Sequence, residues 1–195
     1  MNQPEKDEEH MLIISAKQGN KKAFESLVKK YQRNIYYLCR RMTGAHQSAD
    51  DLSQETFVKA YFSLSSFKEK MNFFSWIRKI AVNSTLNYLK KRKKEQPLHK
   101  DTPANSFNPH SSLYEKPTNR LHQNELNAKL RESIKTLPHE QKSVFILKAF
   151  EDMTYKEISD SLNIPVGTVM SRLSRARQRL KSSLSQFLVG GQNES

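Results

Sequence analysis

Asp50, Asp51 and Glu55 lie within six residues of one another, and the last two are four apart, the spacing that puts side chains on one helix face. Such a pair could grip a divalent cation or exchange a proton, but the pattern supplies no third ligand, so neither metal nor acid-base chemistry is expected here. The histidines His99, His110 and His122 fit no compact metal-binding spacing. Cys39 is the sole cysteine and falls on an apolar helical stripe, where a thiol acts as a small buried hydrophobe. There is no Gly-rich phosphate loop and no nucleophile paired with a base. The sequence therefore points away from an enzyme, and no cofactor or metal is expected. The richest chemistry is cationic: Arg172, Arg175, Arg177, Arg179 and Lys181 crowd one short stretch.

Charge supports a polyanionic partner. The chain has 195 residues with Lys+Arg 33 against Asp+Glu 20, a formal net charge of +13 and a pI near 9.8. Residues 1–95 carry +9 of that excess, 96–122 carry +1 and 123–195 carry +3. The apolar run "MLII" is too short for a signal peptide or a membrane span and follows the acidic "EKDEEH". No membrane insertion and a cytoplasmic location are the expectation.

The elements that must position these residues are helices. Phe24, Leu27, Val28, Tyr31, Ile35, Leu38, Cys39 and Met42 recur at three- and four-residue intervals, with Gly44 as the stop. A shorter helix starting near Asp7 precedes this one; others are expected at about Ser48–Leu64 and Asn72–Lys94. Pro97, Pro103, Pro109 and Pro117 then interrupt a polar stretch from Gln96 to His122 that reads as a flexible linker. Further helices are expected at about Asn124–Thr136, Pro138–Phe150, Tyr155–Leu162 and Val166–Leu184. No segment alternates as a strand. The fold class is all-α: two small helical domains, 1–95 and 123–195, joined by the linker 96–122.

Within the last helix, Val169, Leu173, Ala176 and Leu180 fall within roughly 40 degrees of one another on a helical wheel and make a buried face. Opposite lie Ser171, Ser174, Arg175 and Gln178, with Met170 at the edge and Arg172, Arg177, Arg179 and Lys181 flanking. "TYKEISDSL" braces this helix, "NIP" makes the turn, and Ile158, Leu162 and Ile164 offer the apolar contacts that fix the crossing angle. The combination predicts a helix-turn-helix, in which flanking arginines neutralise phosphates and the strip between them reads base edges.

The helix around Asn83 repeats the scheme, with Phe73, Trp76, Ile77, Ile80, Ser84 and Tyr88 on one side. Lys79, Asn83 and Lys90 are expected on the other, with Val82 and Leu86 between them; such a basic face beside aromatics suits unstacked bases. In the preceding helix Leu52, Phe57, Ala60 and Leu64 should point inward. Asp51, Gln54, Glu55, Val58 and Phe62 should point out, an acidic and apolar mixture that suits a protein contact.

The segments "ADDLSQETFVKAY", "FFSWIRKIAVNSTLNYLKKRKK" and "MTYKEISDSLNIPVGTVMSRLSRARQRL" resemble the signature segments of extracytoplasmic-function (ECF) bacterial sigma factors, across roughly Gly19 to Leu184. The resemblance implies a dissociable specificity subunit, a monomer within the holoenzyme of bacterial RNA polymerase core, that directs initiation at promoter DNA. It implies that Asp51, Gln54 and Glu55 bind the core polymerase. It further implies that Lys79, Asn83, Lys90 and Asn72, with the loop Phe67 to Asn72, hold the minus-ten element. Thr168, Met170, Ser171, Arg172, Ser174, Arg175, Arg177 and Arg179 would contact the minus-thirty-five element. An anti-sigma factor is an implied partner. Asn87 and Lys90 stand where many members have Asp and Arg, which bears on the promoter sequence rather than the role. The alternative, a stand-alone helix-turn-helix regulator, leaves the acidic-apolar face of Asp51 to Phe62 without a use.

Overall fold

A computed structural model describes the backbone of residues 3–68, 71–95 and 120–190 and the side chains of residues 7–68, 71–95 and 126–185. Most of the expected linker, with its prolines and with His99 and His110, lies outside the described residues, as do Glu69 and Lys70 of the expected minus-ten loop. The chain divides into two compact units, Met1–Ala104 and Asn105–Ser195. Among the described residues every regular element is helical.

The first unit contains α1 (Gln3–Lys17), α2 (Lys21–Thr43), α3 (His46–Ser63) with a 3-10 turn at Leu64–Ser66, and α4 (Phe73–Glu95). Gly19 turns the chain at φ 91°. Asn20 then caps α2, its side-chain oxygen accepting the Ala23 N–H at 3.2 Å. At the other end Gly44 adopts φ 78° and donates its N–H to the Arg40 carbonyl at 2.9 Å, a left-handed stop that a side chain would strain. The stripe read from the sequence is the core: Leu27, Ile35, Leu38, Cys39 and Met42 of α2 pack with Ala49, Leu52 and Ala60 of α3 and Phe73, Ile77, Ala81 and Val82 of α4, all nearly or fully buried. Each large side chain so buried contributes about 1.5–3 kcal/mol. Val28 is only half-buried.

The helix α1 is held by a polar contact the apolar pattern does not announce. Glu9 is buried and accepts hydrogen bonds from Lys30 and from the Tyr31 hydroxyl. Burial, and then this acceptor, push the Tyr31 phenol well above its ordinary value of 10.0. Lys17 closes the other end by donating to the Phe67 carbonyl at 3.2 Å.

The second unit contains α5 (Arg120–Lys135), α6 (His139–Ala149), α7 (Tyr155–Leu162) and α8 (Val166–Gly190). Helix α5 begins at Arg120, so the last three residues of the expected linker are already helical. Pro138 is the N-cap of α6, one residue outside the helix it was expected to begin. Helix α8 runs past the expected Leu184 to Gly190. Val144, Ile146, Leu147, Met153, Ile158, Val169 and Leu173 fill one part of the core; Ile134, Leu137, Ala176 and Leu180 fill another, with Leu130 and Phe145 packed against it.

Candidate nucleic-acid and protein interfaces

Helix α7 starts with a full capping box. The Thr154 hydroxyl accepts the Glu157 N–H at 3.2 Å while the Glu157 carboxylate accepts the Thr154 N–H at 2.8 Å. It ends at Asn163, whose φ of 52° is tolerated because asparagine is among the few side chains suited to the left-handed region. The turn is tied by Ile164 N–H to the Ser159 carbonyl at 3.2 Å and by the Ser159 hydroxyl to the Ile164 carbonyl at 2.6 Å. Pro165 lies just before α8, and its carbonyl accepts the N–H groups of Thr168 and Val169. Ile158 is fully buried beneath this turn, with Leu162 and Ile164 half-buried beside it. The brace, turn and second helix of a helix-turn-helix are thus all present.

On α8, Val169, Leu173, Ala176 and Leu180 are buried, while Ser171, Ser174, Arg175, Arg177, Gln178, Arg179 and Lys181 are exposed and Met170 retains 49 % of its surface. Arg172 and Thr168 are half-buried, so this part of the expected fringe is not fully solvent-facing. The Ser171 hydroxyl donates to the Thr168 carbonyl at 3.1 Å. A groove of about 350 Å³ runs between Tyr155 at the start of α7 and Met170, Leu173, Ser174, Arg177, Gln178 and Lys181 of α8. Tyr155 was not singled out from the sequence. Its signal was an aromatic directly after the capping threonine, and its ring takes the Lys148 ammonium at 5.9 Å.

On α4, Lys79, Asn83 and Lys90 are exposed along one side. Val82 is not among them: its side chain is fully buried, because the bundle packs on both flanks of α4 and the apolar face is wider than the wheel allowed. Leu86 is half-buried. Ser84 is buried and accepts the Lys59 ammonium at 3.0 Å, and the Tyr88 hydroxyl meets Ser48 at 2.7 Å. Asn72 is exposed, but its side-chain oxygen accepts the Ser75 N–H at 2.9 Å, so it caps α4. Beside this start an aromatic cluster forms, Phe67 with Trp76 at 5.2 Å and with Phe73 at 5.5 Å between ring centroids. Trp76 is half-buried in it, neither wholly core nor free.

On α3, Asp51, Gln54 and Glu55 are all exposed, and Val58 and Phe62 continue their stripe at 55 % and 80 % exposure. Asp51 accepts a hydrogen bond from the Gln47 amide at 3.2 Å, and Glu55 pairs with Lys59 one turn on. Among the described residues no group of three or more His, Cys, Asp or Glu side chains is placed to hold a metal ion.

Residues 27–95 match Sigma-70 region 2, and residues 127–180 match Sigma-70 region 4. The chain is 33 % identical to the RNA polymerase sigma-H factor of Pseudomonas aeruginosa, over 93 % of this chain and 96 % of that protein. It is 32 % identical to the ECF RNA polymerase sigma-E factor of Haemophilus influenzae, over 91 % of this chain and 95 % of that one. The chain belongs to the ECF sigma factors. Two solved structures share the fold of this ECF sigma factor. One is the sigma factor RpoE with the anti-sigma factor NepR from Bartonella quintana (TM-score 0.66, 21 % identity, 84 % of this chain and 98 % of that one). The other is CnrH with the cytosolic domain of CnrY (TM-score 0.63, 23 % identity, 92 % and 99 %). No helix of the sigma factor, among its described residues, is long and apolar enough to cross a membrane.

Proposed function

We propose that this sigma factor works as two DNA-binding modules and one polymerase-binding face, with residues 1–95 acting as region 2, 96–122 as a tether and 123–195 as region 4. Core RNA polymerase docks on α3 through Asp51, Gln54 and Glu55. Promoter DNA is read twice, as duplex by α8 at the minus-thirty-five element and as an opened strand by α4 at the minus-ten element. The observation that carries this reading is the opposition on α8 of a sealed apolar stripe, Val169 to Leu180, and an exposed strip of Ser171, Ser174, Arg175 and Gln178 set behind an intact turn.

No catalytic residue is required of this chain. Phosphate contacts from Lys79, Lys90, Arg172, Arg177 and Arg179 supply salt-dependent affinity, and each good base contact adds about 1–3 kcal/mol of discrimination. Affinity for the unstacked strand shifts the melting equilibrium toward the open form. The protein acts in the bacterial cytoplasm as one copy per holoenzyme. An anti-sigma factor restrains it, a reading supported by the solved structure of like fold that holds the sigma factor RpoE with the anti-sigma factor NepR.

Run-off transcription tests this directly. Core bacterial polymerase with and without the protein, on a pool of genomic promoter fragments, should yield discrete new transcripts only when both are present. A footprint from the protein alone, with no transcripts, would turn it into a stand-alone regulator.

A further inference from the structure

Helix α1 has no role of its own in the function proposed above, and it lies wholly outside residues 27–95, the span that matches Sigma-70 region 2. It nevertheless packs on both α2 and the 3-10 turn at Leu64–Ser66, with Ile13 and Ala16 buried. Its last residue, Lys17, donates from its ammonium to the Phe67 carbonyl at 3.2 Å. That ammonium stands at the carbonyl end of α1, where a cation is favoured. The end itself is fixed: the Asn20 N–H bonds the Ser15 carbonyl at 3.1 Å and the Asn20 side-chain amide bonds the Ser15 hydroxyl at 2.9 Å, tying α1 to the cap of α2. Phe67, in turn, is where the chain leaves the 3-10 turn for the loop before α4. Its N–H bonds the Leu64 carbonyl at 3.0 Å and its buried ring packs on Phe73 and Trp76, which settles the nitrogen and the side chain. The direction of the next peptide is left to ψ, here 126°, and a bond to the carbonyl oxygen is what holds that angle.

We propose that Lys17 is a positioning residue for the minus-ten reading: through the Phe67 carbonyl it sets the direction in which the chain enters the loop before α4. This rests on the reading above that α4 and that loop hold the opened strand. Lys17 touches no DNA in this scheme and acts through Phe67. A shift at Phe67 passes to Trp76, whose half-buried ring lies 5.2 Å from the Phe67 ring on the aromatic cluster that an unstacked base would meet. At the other side of the loop Asn72 caps α4, so the loop departs from one fixed point and arrives at another. A bond from an ammonium to a carbonyl is charge-assisted and stronger than a neutral one, and an apolar side chain of similar length leaves it unmade.

The test is minus-ten discrimination: the ratio of heparin-resistant open complexes formed by the complete holoenzyme on a promoter found in the run-off assay to those formed on copies with single-base changes in the minus-ten element. Lys17→Met should lower that ratio about 5- to 20-fold with core polymerase affinity unchanged, as the loss of one charged hydrogen bond permits. Lys17→Arg, which keeps a charged donor, should return it to within about twofold of the parent. Tyr31→Phe removes the hydroxyl bonded to Glu9 at the other end of α1 but keeps the ring, and should leave the ratio unchanged. Trp76 is the single tryptophan, so its emission in the free protein should move in Lys17→Met and return in Lys17→Arg. An unchanged ratio in Lys17→Met overturns the proposal while the sigma-factor reading stands on wild-type transcription. An equal loss in Tyr31→Phe, or a parallel fall in core affinity, also overturns it, because α1 then acts through the stability of the whole unit. So does a lowered ratio with Trp76 emission unmoved, because Lys17 then meets the DNA itself. If the wild-type protein supports no transcription, the underlying reading fails and this inference fails with it.

Discussion

On α8 the neighbours of the exposed strip are short and polar, Ser171, Ser174 and Gln178, and the helix is braced by a capped, hydrogen-bonded turn. On α4 the start of the basic face adjoins Phe67, Phe73 and Trp76, with ring centroids 5.2–5.6 Å apart, and a loop rather than a brace precedes it. Both helices combine a buried apolar stripe with cations toward solvent, so charge does not distinguish them. What differs is the immediate surroundings of the charge. Small polar groups on a rigid helix suit base edges fixed in a groove, whereas a half-exposed aromatic cluster suits a base that has left the stack. The same net attraction to phosphate is thereby directed to two states of one molecule.

The sharpest way to break this contrast is Arg175→Ala. Removing it should lower transcription from promoters dependent on the upstream element by roughly 10- to 100-fold, from a base contact of about 1–3 kcal/mol. Templates already melted around the minus-ten element should be much less affected, and run-off assays on both templates check this. The converse variant, Asn83→Ala with Lys79→Ala, should reduce open-complex yield on duplex promoters about tenfold and flatten its salt dependence by about one unit of log-log slope. Potassium permanganate footprinting across a salt series reads both effects. Asp51→Ala with Glu55→Ala should weaken core polymerase binding about tenfold and leave the contrast intact, as fluorescence anisotropy of holoenzyme assembly would show. A smaller effect is local to the brace: Thr154→Ala should cost about 1 kcal/mol of stability through loss of the capping box, seen as a lower thermal midpoint of the second unit. Smallest at neutral pH is the alkaline response. Because the folded Tyr31 phenol titrates above its unfolded value, its stabilising contribution is complete below pH 10 and is lost as pH rises beyond that. Tyr31→Phe should flatten this loss in denaturation curves recorded as pH is raised above about 10.

Helical periodicity made much of this legible. The stripe from Phe24 to Met42, the boundaries of α7 and the opposed faces of α8 all follow from apolar spacing read against a 3.6-residue turn. Val82 escaped because a wheel assumes one buried face, and α4 is covered on both sides by α2 and α3. Glu9 escaped because a carboxylate reads as exposed unless its partners are known, and Lys30 and Tyr31 stand more than twenty residues away. Asn72 shows another limit: the family resemblance nominated it for DNA, and its capping of α4 depends on local backbone geometry about which the motif is silent. Motif order, by contrast, placed the carboxylates of α3 and the arginines of α8 within their proposed roles before any packing was known, because those roles depend on exposure, which amphipathic spacing predicts well.

Cys39 lends itself to a further use at the bench. Its side chain is fully buried at the junction of α2 and α4, with the Thr85 hydroxyl 3.6 Å from the sulfur. A maleimide or disulfide reagent therefore reaches it only when that junction opens, and the labelling rate becomes a clock for the breathing of the first unit alone, silent to anything the second unit does. Single cysteines placed on exposed helix positions would take dye within seconds while this one waits. The wild-type chain thus serves as its own background for fluorescence measurements of how the two units are spaced, free and on polymerase.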